Sequence, residues 1–392
     1  MLNTQSSNFA APIRPEIENL ATSQIAEVFY VGQAHPRLVP LWFGEGDTPT
    51  PDFVVQACAR AIAEGKVNYA DDRGAAPLRA AVASYLARLH GRPVADDRIQ
   101  IAPSGMSCLM LIVQAILGPG DNMVHVAPVW PNIFQAVRVA GGEPRAVALR
   151  HTESGWRLDL ERLFAACDER TRAIFVNSPG NPTGWVMSED DIAAVLAFCR
   201  KRRIWFVADE VYSRLCFGVP RAPSPLDICE PDDPVFSVNS FSKAWAMTGW
   251  RLGWIAGPAW TVPHLRKLNQ YSTSGAATFV QYAGIAALEQ GEPFIAAQNE
   301  RLRRARDLVV QGLRRYPRVQ LTPPPGAFYA FFKVDGLDDS LGFAKKLVLD
   351  TGVGLAPGSA FGPEGEGYLR LCFASSEARL SEALDRLGPL LS

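Results

Sequence analysis

Between about residues 50 and 285, short apolar runs alternate with stretches whose apolar positions recur at helical spacing. The runs at 123–127, 173–176, 205–208 and 235–238 have the length of buried strands. Because helical patterns fall between them, strand and helix follow each other in turn. This order predicts a layered α/β domain in which the four runs are strands of one central sheet.

The sequence indicates where one of the intervening helices begins and ends. Ser188 can cap its first turn, and Asp191 stands in the position of a capping-box partner. The basic residues at 200–202 lie where the helix dipole favours positive charge. The sequence therefore predicts a helix that begins after Ser188 and ends near residue 202.

A second type of pattern follows this alternating region. The arginine-rich stretch 293–315 predicts a long helix with a solvated basic face, and the alternation at 326–334 predicts a strand beyond it. We therefore expect a large domain over residues 49–290 and a smaller C-terminal domain over 291–392. Residues 1–48 are expected to join the smaller domain and a dimer interface.

The composition indicates a soluble protein without nucleic-acid or membrane partners. A chain of 392 residues suffices for about two domains, and a net charge of −1 gives no general attraction to nucleic acid or anionic lipid. The uncharged stretch 99–120 contains Pro103, Gly105 and Gln114, and its continuous apolar part is too short to span a bilayer. The N-terminus lacks the apolar segment of a secretory signal, so we expect a cytoplasmic location.

The seven cysteines are scattered along the chain, without a Cys-x-x-Cys pair or a histidine cluster. Such spacing indicates reduced, mostly buried thiols rather than a disulfide framework. For the same reason we expect no metal site.

The segment 240–254 carries the first candidate chemistry. Lys243 stands there among small and aromatic neighbours, and burial against apolar rings lowers the pKa of a lysine and makes it a nucleophile that can form a Schiff base. Arg251 offers a forked cation for a phosphate, and Ser240 and Ser242 add hydroxyl donors. Taken alone, a lysine is more often a solvated surface residue. The other segments decide against that alternative.

Polar side chains follow two of the predicted strands. Asn181 comes shortly after the run 173–176, and Asp209 directly follows the run 205–208, with Tyr212 three residues later. Ligands bind at the carboxyl ends of strands in open α/β sheets. A buried carboxylate also requires a cationic partner, and a protonated pyridine nitrogen is one such partner.

A loop that ends near Gly105 opens another predicted helix. The Pro, Ser and Gly residues at 103–105 precede a long apolar stretch. The first turn of a helix exposes backbone N–H groups that can receive a phosphate. The sequence therefore offers an anion site next to Gly105 and Met106.

Together these segments resemble the fold-type I pyridoxal-phosphate enzymes, and within them the class I/II aminotransferases similar to aspartate, tyrosine and alanine aminotransferases. The resemblance extends over nearly the whole chain. Its residues, in chain order, are Gly44, Tyr69, Gly105, Trp130, Asn181, Asp209, Tyr212, Lys243, Arg251 and Arg370. It implies a three-layer α/β/α large domain with a mostly parallel central sheet, a smaller α+β domain, and a homodimer whose active site lies at the subunit interface.

The resemblance also implies roles around the cofactor, pyridoxal 5′-phosphate. Lys243 holds the cofactor as a Schiff base and then moves the proton during transfer of the amino group. Asp209 pairs with the pyridine nitrogen, while Asn181 and Tyr212 donate to the phenolic oxygen of the ring. Trp130 stacks on the ring. We accordingly expect Lys243, Asp209 and Tyr212 to be catalytic.

The resemblance assigns the remaining residues to binding of the phosphate and of the substrate. By resemblance, the phosphate is bound by residues from three segments and by a tyrosine from the partner subunit. These are Gly105, Met106, Ser240, Ser242, Arg251 and Tyr69. Arg370 binds the α-carboxylate of the substrate in a bidentate manner, with Gly44 and Asn181 beside it. The substrates are an amino acid and a 2-oxo acid, exchanged by a ping-pong mechanism.

Two positions depart from the pattern of dicarboxylate-specific members. Met106 occupies the place of a lysine that binds the second carboxylate in some of them, and residues 269–290 hold no Lys or Arg that could serve a partner subunit. Neutral, aromatic or basic amino acids are therefore expected rather than strictly dicarboxylic ones. Ile133 also replaces a histidine that supports the pyridine-binding aspartate in some relatives.

Two further interpretations compete with an aminotransferase. A β-lyase or eliminating synthase on the same scaffold would share Lys243 and Asp209, so these residues do not decide. The continuation after Lys243 and the presence of Arg370 favour transamination. A regulator with a transaminase-like domain needs a DNA-binding domain, and the roughly 45 residues before Glu45 are too short and too little basic for one.

Overall fold

The computed structural model describes residues 13–392. The strands are β1 (Val39–Pro40), β2 (Ile99–Ala102), β3 (Asn122–Ala127), β4 (Glu143–Ala148), β5 (Arg150–Thr152), β6 (Gly155–Arg157), β7 (Thr171–Asn177), β8 (Trp205–Asp209), β9 (Val235–Ser240), β10 (Gly253–Ala256), β11 (Val319–Gln320), β12 (Tyr329–Val334), β13 (Val353–Gly354), β14 (Ala356–Pro357) and β15 (Tyr368–Cys372). The α-helices are α1 (Pro15–Glu18), α2 (Gln24–Gly32), α3 (Asp52–Ala63), α4 (Ala76–His90), α5 (Gly105–Ile116), α6 (Asn132–Val139), α7 (Leu160–Ala165), α8 (Glu189–Arg202), α9 (Phe241–Ala244), α10 (Val262–Ser272), α11 (Thr278–Gln290), α12 (Glu292–Leu313), α13 (Ser340–Thr351) and α14 (Glu377–Leu391).

A seven-stranded sheet forms the centre of the larger part, in the order β2-β10-β9-β8-β7-β3-β4. Strand β10 is antiparallel to both of its neighbours, and the other pairs are parallel. The four predicted runs lie in β3, β7, β8 and β9. The predicted mostly parallel α/β sheet is therefore confirmed.

Successive residues of the central strands face two separate cores. In β7, Ile174 and Val176 belong to a core that contains α4, α8 and α11, whereas Ala173 and Phe175 pack with α5, α6 and α10. Strands β3, β7, β8 and β9 are largely buried on both faces, which explains their continuous apolar runs. The helices on the two faces complete the three layers.

Helix α8 has the ends that the sequence predicts. The Ser188 Oγ accepts a hydrogen bond of 3.1 Å from the backbone N–H of Asp191. Asp191 thus contributes its N–H to the cap, and no reciprocal side-chain bond is present in the described part of the chain. Arg203 follows the helix in the left-handed conformation, with a φ of 55°.

The smaller part contains an antiparallel sheet in the order β11-β12-β15-β14, packed with α2, α12, α13 and α14. Strand β12 covers the second part of the predicted strand 326–334, and five of its six residues are buried rather than alternating in exposure. Strand β1 pairs with β13 in a separate two-stranded sheet, which attaches the N-terminal segment to the smaller part. This packing supports the division at residues 48 and 290, which remains our proposal. Residues 1–12 lie outside the described part.

Three adjacent parallel strands end at one edge of the central sheet. Asn177, Asp209 and Ser240 are the last residues of β7, β8 and β9. Their side chains and the loops that follow therefore meet at this edge. Among residues 13–392, no helix combines the length and apolar character needed to cross a bilayer.

Candidate active site

A cavity of about 270 Å³ lies at the carboxyl ends of β7, β8 and β9 and reaches residues of β12 and β15. It is lined by twelve of the thirteen residues predicted from the sequence. They are Gly44, Gly105, Met106, Trp130, Asn181, Asp209, Tyr212, Ser240, Ser242, Lys243, Arg251 and Arg370. The thirteenth, Tyr69, lies elsewhere on the surface. Folding thus brings residues from seven separate segments to one place.

Lys243 lies in α9, a single turn that directly follows β9. Its Nζ donates a hydrogen bond of 2.6 Å to the carbonyl oxygen of Gly44 and lies 5.8 Å from the ring centres of Tyr212 and Phe328. Burial in these surroundings lowers the pKa of Lys243 to about 8. The amine is therefore partly neutral near neutral pH, as a nucleophile must be.

Asp209 is buried, with 4% of its surface exposed. Its Oδ1 accepts a 3.3 Å hydrogen bond from the backbone N–H of Val211, the one side-chain hydrogen bond it makes within residues 13–392. Burial raises the pKa of Asp209 to about 7. Ile133 packs in an apolar core and offers this carboxyl no hydrogen bond. The Asp209 carboxylate therefore lacks the cationic partner that its burial requires.

Arg370 is almost completely buried, and its guanidinium lies close to two aromatic rings. The centres of the Tyr329 and Phe361 rings are 4.6 and 4.9 Å from its Cζ. Its Nη1 donates a 2.9 Å hydrogen bond to the Oδ1 of Asn181, and its Nη2 donates to the carbonyl oxygen of Trp42. Its Nε has no partner, and no carboxylate of the described residues pairs with it. A buried cation with an unused donor is suited to an anionic ligand.

Tyr212 and Tyr329 form a hydroxyl pair at the edge of the cavity, with their Oη atoms 2.6 Å apart. Tyr212 follows β8, whereas Tyr329 is the first residue of β12. Sequence reasoning missed Tyr329, and its only signal was its place in the alternating segment 326–334. Asn181 is held in the loop after β7, where its N–H donates 2.7 Å to the Oδ1 of Asn177.

The N-terminus of α5 packs tightly against β9. A Cβ on Gly105 would lie 3.2 Å from the Cβ of Ser240 and 3.3 Å from the Cγ1 of Val211, which is closer than side chains normally pack. The Oγ of Ser104 caps the helix by accepting 3.1 Å from the N–H of Ser107. Glycine thus allows the first turn of α5 to approach the end of β9 and to keep its N–H groups at the cavity.

Hydroxyl and guanidinium donors also line the cavity near this helix end. The Oγ atoms of Ser240 and Ser242 are 3.0 Å apart. Arg251 is exposed, and its Nη1 donates 2.7 Å to the carbonyl oxygen of Thr248. The remaining donors of Arg251 are available to an anion. Together with the end of α5, these groups make an anion-binding arrangement.

The residues at the cavity fit pyridoxal phosphate. An amine of lowered pKa, a buried carboxylate without a cation, and an anion-binding helix end match its aldehyde, its pyridine nitrogen and its phosphate. The indole of Trp130 lies on the cavity wall. These are properties of the donor set itself, so the fit does not depend on the resemblance.

Tyr69 lies outside this cavity, with 91% of its surface exposed. It follows α3, and the exposed side chains of Val55, Ile62 and Val67 lie on or near the same helix. A single subunit therefore does not bring Tyr69 to the cavity. Its predicted role requires a second copy of the chain.

The fold and this cavity are those of a class I/II aminotransferase. The chain matches the family model "Aminotransferase class I and II" over residues 38–387, and it belongs to that family. Members of this family with this fold use pyridoxal phosphate. The chain is thus an aminotransferase, and none of the similar proteins favours the lyase alternative.

Similar proteins cover nearly the whole chain. A probable aspartate/prephenate aminotransferase of Aquifex aeolicus is 36% identical and covers 89% of each chain. The arginine–pyruvate transaminase of Pseudomonas aeruginosa is 33% identical over 90% of this chain and 89% of its own. A mutant aspartate aminotransferase of Thermus thermophilus superposes with a TM-score of 0.91, at 32% identity, over 97% of this chain and all of its own. The expected family and fold are therefore confirmed.

Proposed function

We propose that this aminotransferase binds pyridoxal phosphate through Lys243. The observation that carries the proposal is that one cavity holds Lys243, Asp209 and Arg370, none of which is paired with another. When bound, the cofactor supplies an aldehyde that condenses with amines and a pyridinium ring that withdraws electrons from the α-carbon. The protein then has to hold that ring, orient the substrate and move a proton.

Asp209 supplies the charge for the ring nitrogen. Unit charges about 3 Å apart attract by roughly 5 kcal/mol at an effective dielectric constant of about 20. That attraction offsets the burial that now raises the pKa of Asp209 to about 7. A cation at this position would therefore lower the pKa of Asp209 and keep the carboxylate ionised.

Arg370 binds the α-carboxylate of the amino acid and fixes its position in the cavity. The rings of Tyr329 and Phe361 pack against its guanidinium and restrict its movement, so a carboxylate binds to it from a fixed direction. This fixes the direction in which the α-carbon presents its bonds. Lys243, whose amine lies in the same cavity, is the base that removes the α-proton.

The phosphate is bound by the N–H groups at Gly105 and Met106 and by Ser240, Ser242 and Arg251. These groups surround the junction of α5 and β9. Tyr69 of a second subunit adds a hydroxyl donor. Each of these roles agrees with the position of the residue in the cavity or, for Tyr69, on the surface.

The walls of the cavity favour neutral, aromatic or basic amino acids. Its charged side chains are Asp209, Lys243, Arg251 and Arg370, and all four already have roles. The remaining walls include Ile25, Trp42, Phe43 and Met106. No further cation lines the described cavity for a second carboxylate. The relatives are named for aspartate, prephenate and arginine, so the family accommodates side chains of different charge.

The enzyme is proposed to be a homodimer in the cytoplasm. The side chains of Val55, Ile62 and Val67 on and near α3, and that of Tyr271 of α10, are apolar and exposed, and we propose that a partner subunit covers them. Tyr69 follows α3 and would reach the partner's cavity. The cysteines of the described chain are free thiols, which agrees with a reducing compartment.

Borohydride reduction tests the covalent site. The protein is loaded with pyridoxal phosphate, reduced and digested, and the modified peptide is identified by mass spectrometry. We expect modification at Lys243, its loss in Lys243→Ala, and full modification in the control Lys267→Ala, because Lys267 is exposed on α10. Modification that persists in Lys243→Ala would refute the assignment. A second experiment mixes the loaded enzyme with each amino acid and follows the fall in visible absorbance, which identifies the donors.

A further inference from the structure

The hydroxyl pair of Tyr212 and Tyr329 joins the two parts of the molecule at the cavity. Both rings are buried, and the Oη atoms are 2.6 Å apart. A phenol has one proton to donate, so one hydroxyl of the pair donates and the other accepts. The accepting hydroxyl keeps its own proton for another partner. The direction of this bond therefore decides which of the two phenols can donate into the cavity.

The surroundings of Tyr329 favour it as the donor. The guanidinium of Arg370 lies 4.6 Å from the centre of its ring, and a positive charge there makes the phenol more acidic. Burial raises the pKa of both phenols, and the charge of Arg370 offsets part of this rise in both. The guanidinium lies over the ring of Tyr329 and not over that of Tyr212, and the Asp209 carboxylate further raises the pKa of Tyr212, so Tyr329 is the more acidic of the two. Gly44 packs directly against the hydroxyl of Tyr329, where a Cβ would collide with it. Within residues 13–392, Tyr212 is the one hydrogen-bond partner of the Tyr329 hydroxyl.

We propose that Tyr329 is a positioning residue that donates its hydroxyl proton to Tyr212 and thereby directs the proton of Tyr212 into the cavity. The inference rests on the proposed function, in which Tyr212 donates to the phenolic oxygen of the cofactor. A hydroxyl that accepts one hydrogen bond becomes a better donor of the next. Tyr329 thus strengthens the contact of Tyr212 without touching the cofactor itself.

The same arrangement connects the two ends of the substrate site. Arg370, which binds the carboxylate, lies on the ring of Tyr329, and Tyr212 lies next to Lys243. The charged and titratable groups that face the pair are Arg370, Cys372, Asp209 and Lys243. Neutralisation of Arg370 by a carboxylate would make Tyr329 less acidic. The strength of the Tyr212 contact would then respond to substrate binding.

The pH titration of the bound cofactor's visible absorbance tests the proposal. A hydrogen bond from Tyr212 stabilises the ionised phenolic oxygen and holds the titration midpoint low. Tyr329→Phe keeps the ring but removes the hydroxyl, so we expect the midpoint to rise by about half a pH unit. Tyr212→Phe should raise it further. The double variant should match Tyr212→Phe alone, because Tyr329 acts through Tyr212.

A second substitution tests whether the titration midpoint can also be lowered. A fluorinated tyrosine at position 329 is a more acidic phenol of nearly the same size, and it should lower the midpoint. It also decides the case if Tyr329→Phe does not fold. Tyr368→Phe is the control, since Tyr368 is a half-buried tyrosine of β15 that does not line the cavity, and its midpoint should equal that of the wild type.

Three results would overturn the proposal. They are an unchanged or lowered midpoint in Tyr329→Phe, an unchanged or raised midpoint with the fluorinated residue, and additive shifts in the double variant. A wild-type protein that takes up no cofactor gives no titration at all. That outcome contradicts the proposed function and is therefore distinguishable from a failure of this inference.

Discussion

The Nη1 of Arg370 donates a hydrogen bond of 2.9 Å to the Oδ1 of Asn181, although the two residues are 189 positions apart. The bond joins β15 of the smaller sheet to the loop after β7 of the central sheet. It also leaves Arg370 with a neutral partner. The positive charge of the guanidinium is therefore not cancelled and remains available to a substrate carboxylate.

We expect Asn181→Asp to weaken amino-acid binding strongly. The new carboxylate would pair with Arg370 and compete with the substrate. A charged hydrogen bond of about 1.5–3 kcal/mol corresponds to an increase in KM of roughly 10–100-fold. Steady-state kinetics with the best donor measure this effect. The matched variant Asn181→Ser, which adds no charge, should raise KM much less, and equal KM values in the two variants would contradict the role of charge.

Asp209→Asn should lower the catalytic rate without preventing cofactor binding. Removing a preorganised charge of this kind commonly lowers the rate by about 10²–10³ or more, so we expect a loss of kcat in that range with the cofactor still bound. Single-turnover absorbance changes with one amino acid measure this rate. Wild-type turnover in Asp209→Asn would show that the carboxylate is structural only.

The cofactor-free protein should show the effect of Asp209 on the pH dependence of stability. Its pKa is raised to about 7 in the folded state, against about 4 in an unfolded chain. The Asp209 carboxyl therefore contributes on the order of 4 kcal/mol to the free energy of unfolding. This contribution is fully present below about pH 4 and is lost as the pH rises towards 7. Urea unfolding of the cofactor-free protein between pH 4 and 8 measures it. In Asp209→Asn that part of the pH dependence should disappear.

The order of strand and helix, and the residues that follow the strands, could be predicted because they depend on local pattern. The apolar run at 205–208 became β8, and Asp209 came to its end in the cavity. Tyr329 could not be predicted in this way. Its hydroxyl meets Tyr212 across 117 positions, and that contact depends on how the smaller sheet packs on the central one.

Contacts made by backbone groups also could not be predicted from the sequence. The carbonyl oxygens of Gly44 and Trp42 accept from Lys243 and Arg370, and every residue type carries the same carbonyl group. No side-chain pattern could indicate them. Tyr69 illustrates a different limit, because its predicted role requires a second subunit.

The lowered pKa of Lys243 predicts a particular pH dependence for attachment of the cofactor. The neutral amine is the nucleophile, so the rate of covalent attachment to the cofactor-free protein should rise with pH and level off above a midpoint near 8. Rapid-mixing absorbance measurements between pH 6 and 10 test this. Phe328→Leu removes one of the rings around the amine. Water should then solvate the ammonium form better, so the pKa of Lys243 and the midpoint of attachment should rise. A midpoint near that of an ordinary lysine in the wild type would show that the amine is not desolvated.

Met106→Lys should bring aspartate within the range of substrates. Met106 lies on the cavity wall at the first turn of α5, where no charged side chain other than Arg251, Lys243, Asp209 and Arg370 lines the site. An added ammonium there could pair with a second carboxylate, and a partly desolvated charged hydrogen bond of about 1.5 kcal/mol would raise kcat/KM for aspartate about tenfold. Met106→Leu controls for the change in shape and should leave aspartate a poor donor. Efficient use of aspartate by the wild-type enzyme would mean instead that a cation from the partner subunit already serves this position.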